Sequence, residues 1–427
     1  MRRVLFLTAN VGSLFEEDAR LQGQWLNVIT ERILGEQAEF VVMHMQETGG
    51  KNFQQCSGQV PGLVQKLYDR IRQEYPVARA ILDIDFEQDM YTALGSMYFV
   101  RKSSVDKVEQ YNFIAGRYER LNPGIEMITK DLENYSLVIK QKFPKHFWPA
   151  FKWGRKGFVH VRFRFNKHYF DLVNVHLFHD ENNLALIHEN PNLYSSNRQR
   201  ALAFVLAHLK ETQNGHPSHT FLFGDLNFRL DSTRFLNKLT AATESHPIDE
   251  SDLHSHASMA NNLNAPQVLH SNSGGDLEVS NKLPLPTEQL RRTVSAVEFR
   301  REVANEDSDS ETNCVLRIEK KRFDYFNAKQ LLQDWKSYLE FDFETKAFPE
   351  LYEVPINFPP TYPWSEDPTD CGVLMKTRAP AWCDRVLMNE NAWRVVQSGA
   401  PAYHSFGRDT CMGDHKPVYL SFAVPDS

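Results

Sequence analysis

The stretch Thr220-Phe221-Leu222-Phe223-Gly224-Asp225-Leu226-Asn227-Phe228-Arg229 joins an apolar run to a cluster of polar residues. The apolar run predicts a short buried strand, and Gly224 is expected to end it. Asp225 and Asn227 are two residues apart, so in an extended chain both side chains point to the same side. This pair suits phosphate-ester hydrolysis, because the carboxylate can take a proton from water while the amide holds an oxygen. Alone, however, these are also ordinary turn residues.

The composition is that of a globular protein with a large core. The chain has 427 residues, of which 41% are hydrophobic and 24% charged, and these are ordinary proportions for folded proteins. Its net charge of -7 argues against a basic field over the whole molecule that would attract nucleic acid. Five cysteines without a CxxC spacing indicate reduced thiols in the cytosol. No segment is long enough to span a membrane.

Strand and helix patterns alternate along much of the chain, which predicts a layered α/β fold. The predicted strands are 4–8, 40–43, 92–100, 136–141, 157–165, 168–178, 220–223, 385–388 and 418–423, and the predicted helices are 17–33, 60–71, 198–211 and 323–343.

The composition changes between residues 241 and 313. This segment is rich in Ser, Asn, His and Glu, contains an acidic run at 306–311, and lacks periodic apolar residues. We therefore predict a flexible insertion over 241–313, with a candidate helix near 288–302. The insertion is expected to lie within a single catalytic domain that covers residues 1–424, followed by a tail at 425–427.

Polar residues recur where the predicted strands end, and functional groups of layered α/β proteins collect at such places. Taken alone, these residues have ordinary alternatives: Glu47 can cap a helix or form a salt bridge, and His176 can be a satisfied core histidine. Asp384-Arg385 can be a structural ion pair, and 413–417 can be an exposed turn. Together they supply the acids, amides and imidazoles of one phosphoesterase site. The set is Asn10, Glu47, Asn174, His176, Asp225, Asn227, Asp384, Asp414 and His415.

Several short stretches, taken in their order along the chain, resemble the inositol polyphosphate 5-phosphatases. The most specific are 224–229, GDLNFR, and 378–385, RAPAWCDR. Further features at 9–15, 152–158, 176–180 and 411–415 resemble the type I enzymes of that family. The resemblance covers about residues 1–240 and 313–424. The other matching stretches are Thr8-Ala9-Asn10, Gln46-Glu47, Asn174-Val175-His176-Leu177, Pro360-Thr361-Tyr362 and Gly413-Asp414-His415-Lys416-Pro417-Val418.

The resemblance implies a four-layer α/β sandwich of the DNase I-like type, in which two mixed β-sheets pack face to face. It also implies Mg²⁺-dependent removal of the 5-phosphate from inositol 1,4,5-trisphosphate and inositol 1,3,4,5-tetrakisphosphate, which ends calcium-mobilising signalling. The implied partners are soluble inositol phosphates rather than nucleic acid. The protein is expected to be a cytoplasmic monomer that meets the inner face of the plasma membrane only peripherally.

The resemblance also implies roles for individual residues. Asp225 would orient or deprotonate the attacking water, and His415, held by Asp384, would donate to charge developing on the phosphate. The implied catalytic residues are Asp225, Asn227, His415, Asp384, His176 and Asn174, the implied Mg²⁺ ligands are Glu47, Asn10 and Asp414, and the implied substrate-binding residues are Arg385, Lys376, Arg378, Tyr362, Lys416, Lys51, Arg155 and Lys156.

Two departures from the family pattern leave alternatives open. Pro363 follows Tyr362 where many lipid-acting relatives have a lysine, so the cations that hold the 4-phosphate are in question. The chain also ends without the Cys-a-a-X prenylation signal of type I relatives, so either a membrane anchor is absent or this is a truncated or alternative form. The rival functions are a phosphoinositide-lipid 5-phosphatase, a same-fold nuclease or sphingomyelinase, and an inactive inositol phosphate-binding module.

Overall fold

The computed structural model describes residues 1–15, 19–147, 154–180, 194–213, 217–241, 243–248, 296–301, 313–319 and 322–426. The strands in these ranges are β1 (Arg2–Asn10), β2 (Phe40–Gln46), β3 (Val77–Leu82), β4 (Gly95–Val100), β5 (Val108–Asn112), β6 (Arg117–Arg120), β7 (Gly124–Ile128), β8 (Ile139–Lys142), β9 (Gly157–Phe165), β10 (His168–His176), β11 (His219–Asp225), β12 (Glu244–Ile248), β13 (Ala296–Arg300), β14 (Cys314–Glu319), β15 (Arg322–Tyr325), β16 (Asp384–Met388), β17 (Ala402–Ser405) and β18 (Val418–Val424). The helices are α1 (Ala19–Glu36), α2 (Phe53–Cys56), α3 (Val60–Ile71), α4 (Ser195–Gln213), α5 (Ser232–Leu239), α6 (Ala328–Gln333) and α7 (Glu390–Ser398), and 3₁₀ turns lie at Ser57–Gln59, Lys102–Ser104, Lys145–Phe147, Trp335–Phe341 and Glu344–Ala347.

Two mixed β-sheets form the centre of the molecule. The first has the strand order β17-β18-β1-β2-β4-β3-β7, and the second has the order β16-β11-β10-β9-β5-β6 with β8 beside β9. Three neighbouring pairs are parallel, namely β1 with β2, β3 with β7, and β10 with β11. Two of these parallel pairs bring strand ends together at one edge, which becomes important for the site below.

Apolar side chains fill the space between the two sheets. Phe6 of β1 stacks on Phe223 of β11 with ring centroids 5.2 Å apart. On the outer face of the first sheet, Trp25 of α1 is buried against the strands, and on the outer face of the second sheet Val205 of α4 does the same. Helix, sheet, sheet and helix therefore stack in that order, which confirms the predicted four-layer α/β sandwich.

Gly224 does not end its strand, contrary to the prediction. β11 continues through Gly224 to Asp225 and pairs with β10 on one side and β16 on the other. A Cβ atom at Gly224 would lie 2.0 Å from the carbonyl oxygen of Val175. The glycine is therefore needed because the neighbouring backbone approaches closely, and the strand carries Asp225 to the edge of the sheet.

The region predicted to be an insertion contributes to a third sheet. β12 and β13, which lie between 241 and 313, join β14 and β15 in an antiparallel sheet of four strands. The helix predicted near 288–302 is wrong over the described residues 296–301, because Val297 and Phe299 alternate and are buried as β13. Residues 249–295 and 302–312 lie outside the described ranges, so the flexibility of the insertion stays a prediction.

The helix predicted over 323–343 is also interrupted. Its first residues belong to strand β15, α6 follows, and a 3₁₀ turn covers Trp335–Phe341. Within the part of the chain that the structure describes, no helix is long and apolar enough to cross a lipid bilayer.

Candidate active site

Four strands end at one edge of the sandwich, two from each sheet. In the first sheet, the parallel strands β1 and β2 end at Asn10 and Gln46. In the second, the parallel strands β10 and β11 end at His176 and Asp225. Asn10 Nδ2 donates a hydrogen bond to Asp225 Oδ2 at 3.0 Å, which joins the two sheets. Polar residues from well-separated parts of the sequence therefore meet at one place.

Asp225 is buried at the centre of this cluster. Its Oδ1 accepts the backbone N–H of Asn227 at 2.9 Å, and its Oδ2 lies 3.2 Å from His176 Nε2 and 3.8 Å from His415 Nε2. Burial alone would raise the pKa of Asp225, but the charges of His415, His176 and Lys156 lower it well below the usual range. The carboxylate is therefore ionised and surrounded by donors.

His415 is held against Asp384. Its Nδ1 makes a 2.8 Å hydrogen bond with Asp384 Oδ2, and its ring lies beside the ring of Tyr362 with centroids 4.8 Å apart. Asp384 is opposite Asp225 in the β11–β16 register. Burial alone would lower the pKa of His415, but the carboxylates of Asp384 and Asp225 raise it to about 10. His415 is therefore an imidazolium at neutral pH, with Nε2 on the side of Asp225.

Glu47 and Asn10 direct oxygen atoms towards one point beside Gly12. A Cβ atom at Gly12 would lie 3.0 Å from Glu47 Oε2 and 3.3 Å from Asn10 Oδ1. The Asn10 amide is fixed in this orientation, because Nδ2 donates to Asp225 and Oδ1 accepts the Gly12 N–H at 3.1 Å. Burial would raise the pKa of Glu47, but Lys156 and His176 lower it to about 2. A carboxylate and an amide oxygen that share a small space suit a hard divalent cation.

A second group of side chains could also hold a metal ion. The ligand atoms of Asp225, Asp384 and His415 lie within 4.8 Å of one another. A metal on His415 would have to replace a ring proton of the imidazolium, which makes Glu47 and Asn10 the better-suited pair. Asp414, a predicted ligand, has Oδ1 3.9 Å from His415 Nε2. Burial raises the pKa of Asp414 to about 6. The charge of Glu47 also raises this pKa, whereas the charge of His415 lowers it.

Gly12→Ala is expected to weaken divalent cation binding by about 10-fold or more, because the new methyl group would enter the space beside Glu47 Oε2. Titration calorimetry with Mg²⁺, together with the Mg²⁺ dependence of turnover, measures this effect. Gly23→Ala in α1 is the matched control, since a Cβ there has no neighbouring atom within 4 Å. Unchanged Mg²⁺ affinity in Gly12→Ala would place the cation elsewhere.

The predicted cations of the loop before β9 lie near this cluster. Lys156 Nζ contacts His176 Nε2. Burial lowers the pKa of Lys156 to about 8, although the negative charge of Glu47 raises it. Arg155 donates to the carbonyl of Gly50 at 2.9 Å, and its charge contributes to the low pKa of Glu47. These two side chains bring positive charge to the site.

The other predicted substrate-binding residues are placed unequally. Tyr362 lies beside His415. Arg378 is largely buried, which lowers its pKa, and the nearby Tyr362 and Arg229 also influence that pKa. Lys376 is exposed and donates to Asp324 Oδ1 at 2.7 Å. Lys51 contacts the carboxylate of Glu366 at 2.7 Å and influences the pKa of Asp414. All four therefore stay candidates, and those beside catalytic residues are favoured.

The predicted catalytic role of Asn174 stays a prediction, and the contacts of this side chain do not favour it. Asn174 Nδ2 lies within hydrogen-bond distance of the carbonyls of Met45 and Gly95 and of Ser96 Oγ, and its Oδ1 accepts from Gln46 Nε2 at 2.8 Å. The side chain is fully buried. Its polar atoms therefore tie β10 to β2 and β4 and are not available to a substrate.

The predicted substrate-binding roles of Arg385 and Lys416 are likewise not favoured by their contacts. Arg385 is buried, and its guanidinium contacts two carboxylates. Nε lies 2.7 Å from Glu353 Oε1, and Nη1 lies 2.9 Å from Asp342 Oδ2. Lys416 is also buried, and its Nζ donates to the carbonyl of Thr410 at 2.9 Å. Both cations serve structural contacts, so their part in substrate binding stays a prediction.

The expectation that Asn227 continues an extended strand is also wrong. Asn227 has a φ of 52°, so the chain turns immediately after Asp225. Its Nδ2 donates to the carbonyl of Leu177 at 3.1 Å, and its Oδ1 accepts from Arg229 Nη2 at 2.9 Å. A contact between Asn227 and a phosphate oxygen stays a prediction. Arg229 was missed as a site residue, although it is the last residue of GDLNFR.

The chain belongs to the endonuclease/exonuclease/phosphatase family. Residues 94–278 and 299–421 match the model described as Endonuclease/Exonuclease/phosphatase family 2. Identities of 53% and 35% over nearly the full lengths of two curated relatives show that it is one of the inositol polyphosphate 5-phosphatases, which are phosphatase enzymes.

Two curated relatives are similar over nearly their whole lengths. The chain is 53% identical over 424 residues to a probable type I inositol 1,4,5-trisphosphate 5-phosphatase of Caenorhabditis elegans, which covers 99% of this chain and 100% of the relative. It is 35% identical over 431 residues to inositol polyphosphate-5-phosphatase A of Homo sapiens, with 99% and 93% covered. A solved inositol polyphosphate 5-phosphatase domain of a synaptojanin matches with a TM-score of 0.44 and 14% identity, covering 99% of this chain and 83% of that one.

Proposed function

We propose that this protein is a Mg²⁺-dependent phosphatase that removes the 5-phosphate from inositol 1,4,5-trisphosphate and inositol 1,3,4,5-tetrakisphosphate. The observation that carries the proposal is the meeting of Asp225, the Asp384–His415 pair and the Glu47–Asn10 pair at one sandwich edge. The names of the two full-length relatives support the substrate class.

Glu47 and Asn10 would hold the Mg²⁺ ion, with Asp414 as an outer partner. Bound there, Mg²⁺ would polarise the phosphoryl group and stabilise negative charge on the leaving inositol oxygen. The oxygen-only pair and the ionised state of Glu47 support a hard cation.

Asp225 orients the attacking water or takes its proton. Asn10 and the Asn227 backbone N–H fix its carboxylate by hydrogen bonds at 3.0 and 2.9 Å, so little reorganisation is needed at the moment of attack. His176, at 3.2 Å from the same carboxylate, keeps it in place and lies next to Lys156, which brings positive charge towards the phosphoryl oxygens.

His415 stabilises the negative charge that develops on the phosphoryl group. Asp384 holds Nδ1, which leaves Nε2 as the donor that faces the site. An imidazolium fixed in this way strengthens its hydrogen bond as charge builds up in the transition state.

The remaining phosphates of the substrate would contact cations around this centre. Lys156, Arg155 and Arg378 lie near the catalytic residues by the contacts described above. We further propose that the substrates are soluble inositol phosphates rather than nucleic acid, that the protein acts as a monomer, and that it works in the cytoplasm with at most peripheral contact with the plasma membrane.

Phosphate release from four substrates tests this proposal. The substrates are inositol 1,4,5-trisphosphate, inositol 1,3,4,5-tetrakisphosphate, vesicles containing phosphatidylinositol 4,5-bisphosphate, and supercoiled plasmid DNA, each with Mg²⁺ and with EDTA. We expect rapid Mg²⁺-dependent release from the two soluble phosphates and no nicking of DNA. A clear preference for the vesicles would favour the lipid phosphatase alternative, and tight binding without phosphate release would favour an inactive module.

A further inference from the structure

Arg229 places a guanidinium beside the active site. Its side chain is 12% exposed. Nη2 donates to Asn227 Oδ1 at 2.9 Å, and the guanidinium carbon lies 4.4 Å from the centre of the Tyr362 ring. Tyr362 in turn is beside His415. One aromatic ring and one amide thus connect Arg229 to His415 and to the turn after Asp225.

Two nitrogens of Arg229 have buried N–H groups without an acceptor. Neither Nε nor Nη1 has a hydrogen-bond partner among the residues that the structure describes. Nε lies 3.8 Å from Asp180 Oδ2, which is too long for a hydrogen bond. Buried donors are nearly always paired in folded proteins, and an unpaired charged donor is costly. These two donors therefore indicate an acceptor that is not part of the described chain.

Other buried arginines of the same protein show the contrast. Arg198 directs all three guanidinium nitrogens to the carboxylates of Asp180 and Glu344, and Arg385 likewise pairs with two carboxylates. Asp180, the nearest carboxylate to Arg229, already binds Arg198. Arg229 is thus left with stacking and one amide contact where its counterparts form complete ion pairs.

We propose that Arg229 binds a phosphate group of the substrate, an inference that rests on the proposed function and extends it by one residue. The position suits this role, because Asn227 and Tyr362 fix the guanidinium from two directions while Nε and Nη1 keep donors that no described residue accepts. Arginine is the residue best suited to phosphate oxygens when it must also stack on an aromatic ring.

The surrounding charges agree with an anionic ligand. Burial is the largest cause of the lowered pKa of Lys156 and of the lowered pKa of Arg378. The positive charge of Arg229 lowers both pKa values further. Arg229 is therefore close enough to both Lys156 and Arg378 to repel them. A phosphate group that enters between them relieves this repulsion, and its affinity should depend on each of the three.

Steady-state kinetics on inositol 1,4,5-trisphosphate with Arg229→Gln and Arg229→Lys test the proposal. Arg229→Gln is expected to lower kcat/KM by about 10-fold to 100-fold. Arg229→Lys keeps the charge without the planar fork, so it should restore part of the loss. Arg234→Gln is the matched control, because this arginine is exposed and pairs with Glu340 at the surface, and its kcat/KM should equal that of the wild type.

Two inhibitors distinguish which phosphate Arg229 binds. If it contacts the 5-phosphate, inhibition by inorganic phosphate should weaken about 10-fold in Arg229→Gln, whereas inhibition by inositol 1,4-bisphosphate should not change. If it contacts a retained phosphate, the pattern is reversed. Both patterns support the proposal.

Unchanged KM, kcat and inhibition constants in Arg229→Gln and Arg229→Lys, with only a lower melting temperature, would overturn it and leave Arg229 a structural residue. Failure of the wild-type protein to hydrolyse the trisphosphate would instead count against the proposed function, and the inorganic phosphate comparison would still test Arg229.

Discussion

Asp225→Asn is expected to lower kcat by about 100-fold or more while the protein stays folded. The substitution keeps the size of the side chain but removes the negative charge and one acceptor oxygen. In the wild type both oxygens accept hydrogen bonds, Oδ1 from the Asn227 backbone and Oδ2 from Asn10. An amide at this position can satisfy only one of these donors, and it cannot take a proton from water.

The electrostatic consequence points in the same direction. Asp225 is the carboxylate closest to His176 and contributes to the raised pKa of His415. Without it, Lys156 and His415 would face the bound phosphate with less compensation, so substrate binding should be retained or even strengthened. We therefore expect the loss in kcat rather than in KM, which single-turnover and steady-state measurements together would show.

Asp171→Asn is the matched control for this experiment. Asp171 is a buried carboxylate on the same pair of strands, near the opposite end, where it binds His160 at 2.9 Å and Arg162 at 2.7 Å. Removing one partner of a buried ion pair costs about 3–5 kcal/mol, so this variant should melt at a lower temperature but keep its kcat. Near wild-type turnover in Asp225→Asn would remove Asp225 from the mechanism.

The strands that sequence patterns predict well are those buried on both faces. β1 and β2 contain the continuous apolar runs 4–7 and 40–43 because they lie between a helix layer and the second sheet. β3 was missed because Arg79 interrupts its apolar pattern, and only the structure supplies the partners of this arginine, Gln110 and Glu126. β13 was missed because its three buried apolar residues, Ala296, Val297 and Phe299, stand in a polar segment and give too weak a signal.

The position of the site was predictable, whereas the use of individual residues was not. His176 and Asp225 meet because the parallel strands β10 and β11 end at one edge, and the face-to-face packing of the two sheets brings Asn10 to them. The role of Asn174 depends on carbonyl groups of β2 and β4, and that of Arg385 on Glu353 in a distant loop. No local pattern encodes such long-range contacts, so sequence reasoning assigned these residues to the site.

His415→Gln is expected to lower kcat by about 100-fold or more, the second large effect in this site. His415 is a buried imidazolium fixed between Asp384 and Tyr362, with Nε2 facing the Asp225 side. Glutamine approximates its size and can still donate one hydrogen bond, but it carries no charge. The loss therefore measures how much a fixed positive charge contributes to the transition state.

The Asp384→Asn variant separates orientation from charge. Asp384 is hydrogen-bonded to His415, so we expect its loss to matter mainly while His415 is present. We expect Asp384→Asn to lower kcat less than His415→Gln, and the double variant to be no slower than His415→Gln alone, since the two residues act as one unit. Additive losses in kcat would show that Asp384 has a separate role.

His246→Ala is the control for His415→Gln. His246 lies on the exposed surface of β12, so this variant should keep the wild-type kcat. A kcat of His415→Gln equal to that of the wild type would exclude His415 as the stabilising donor.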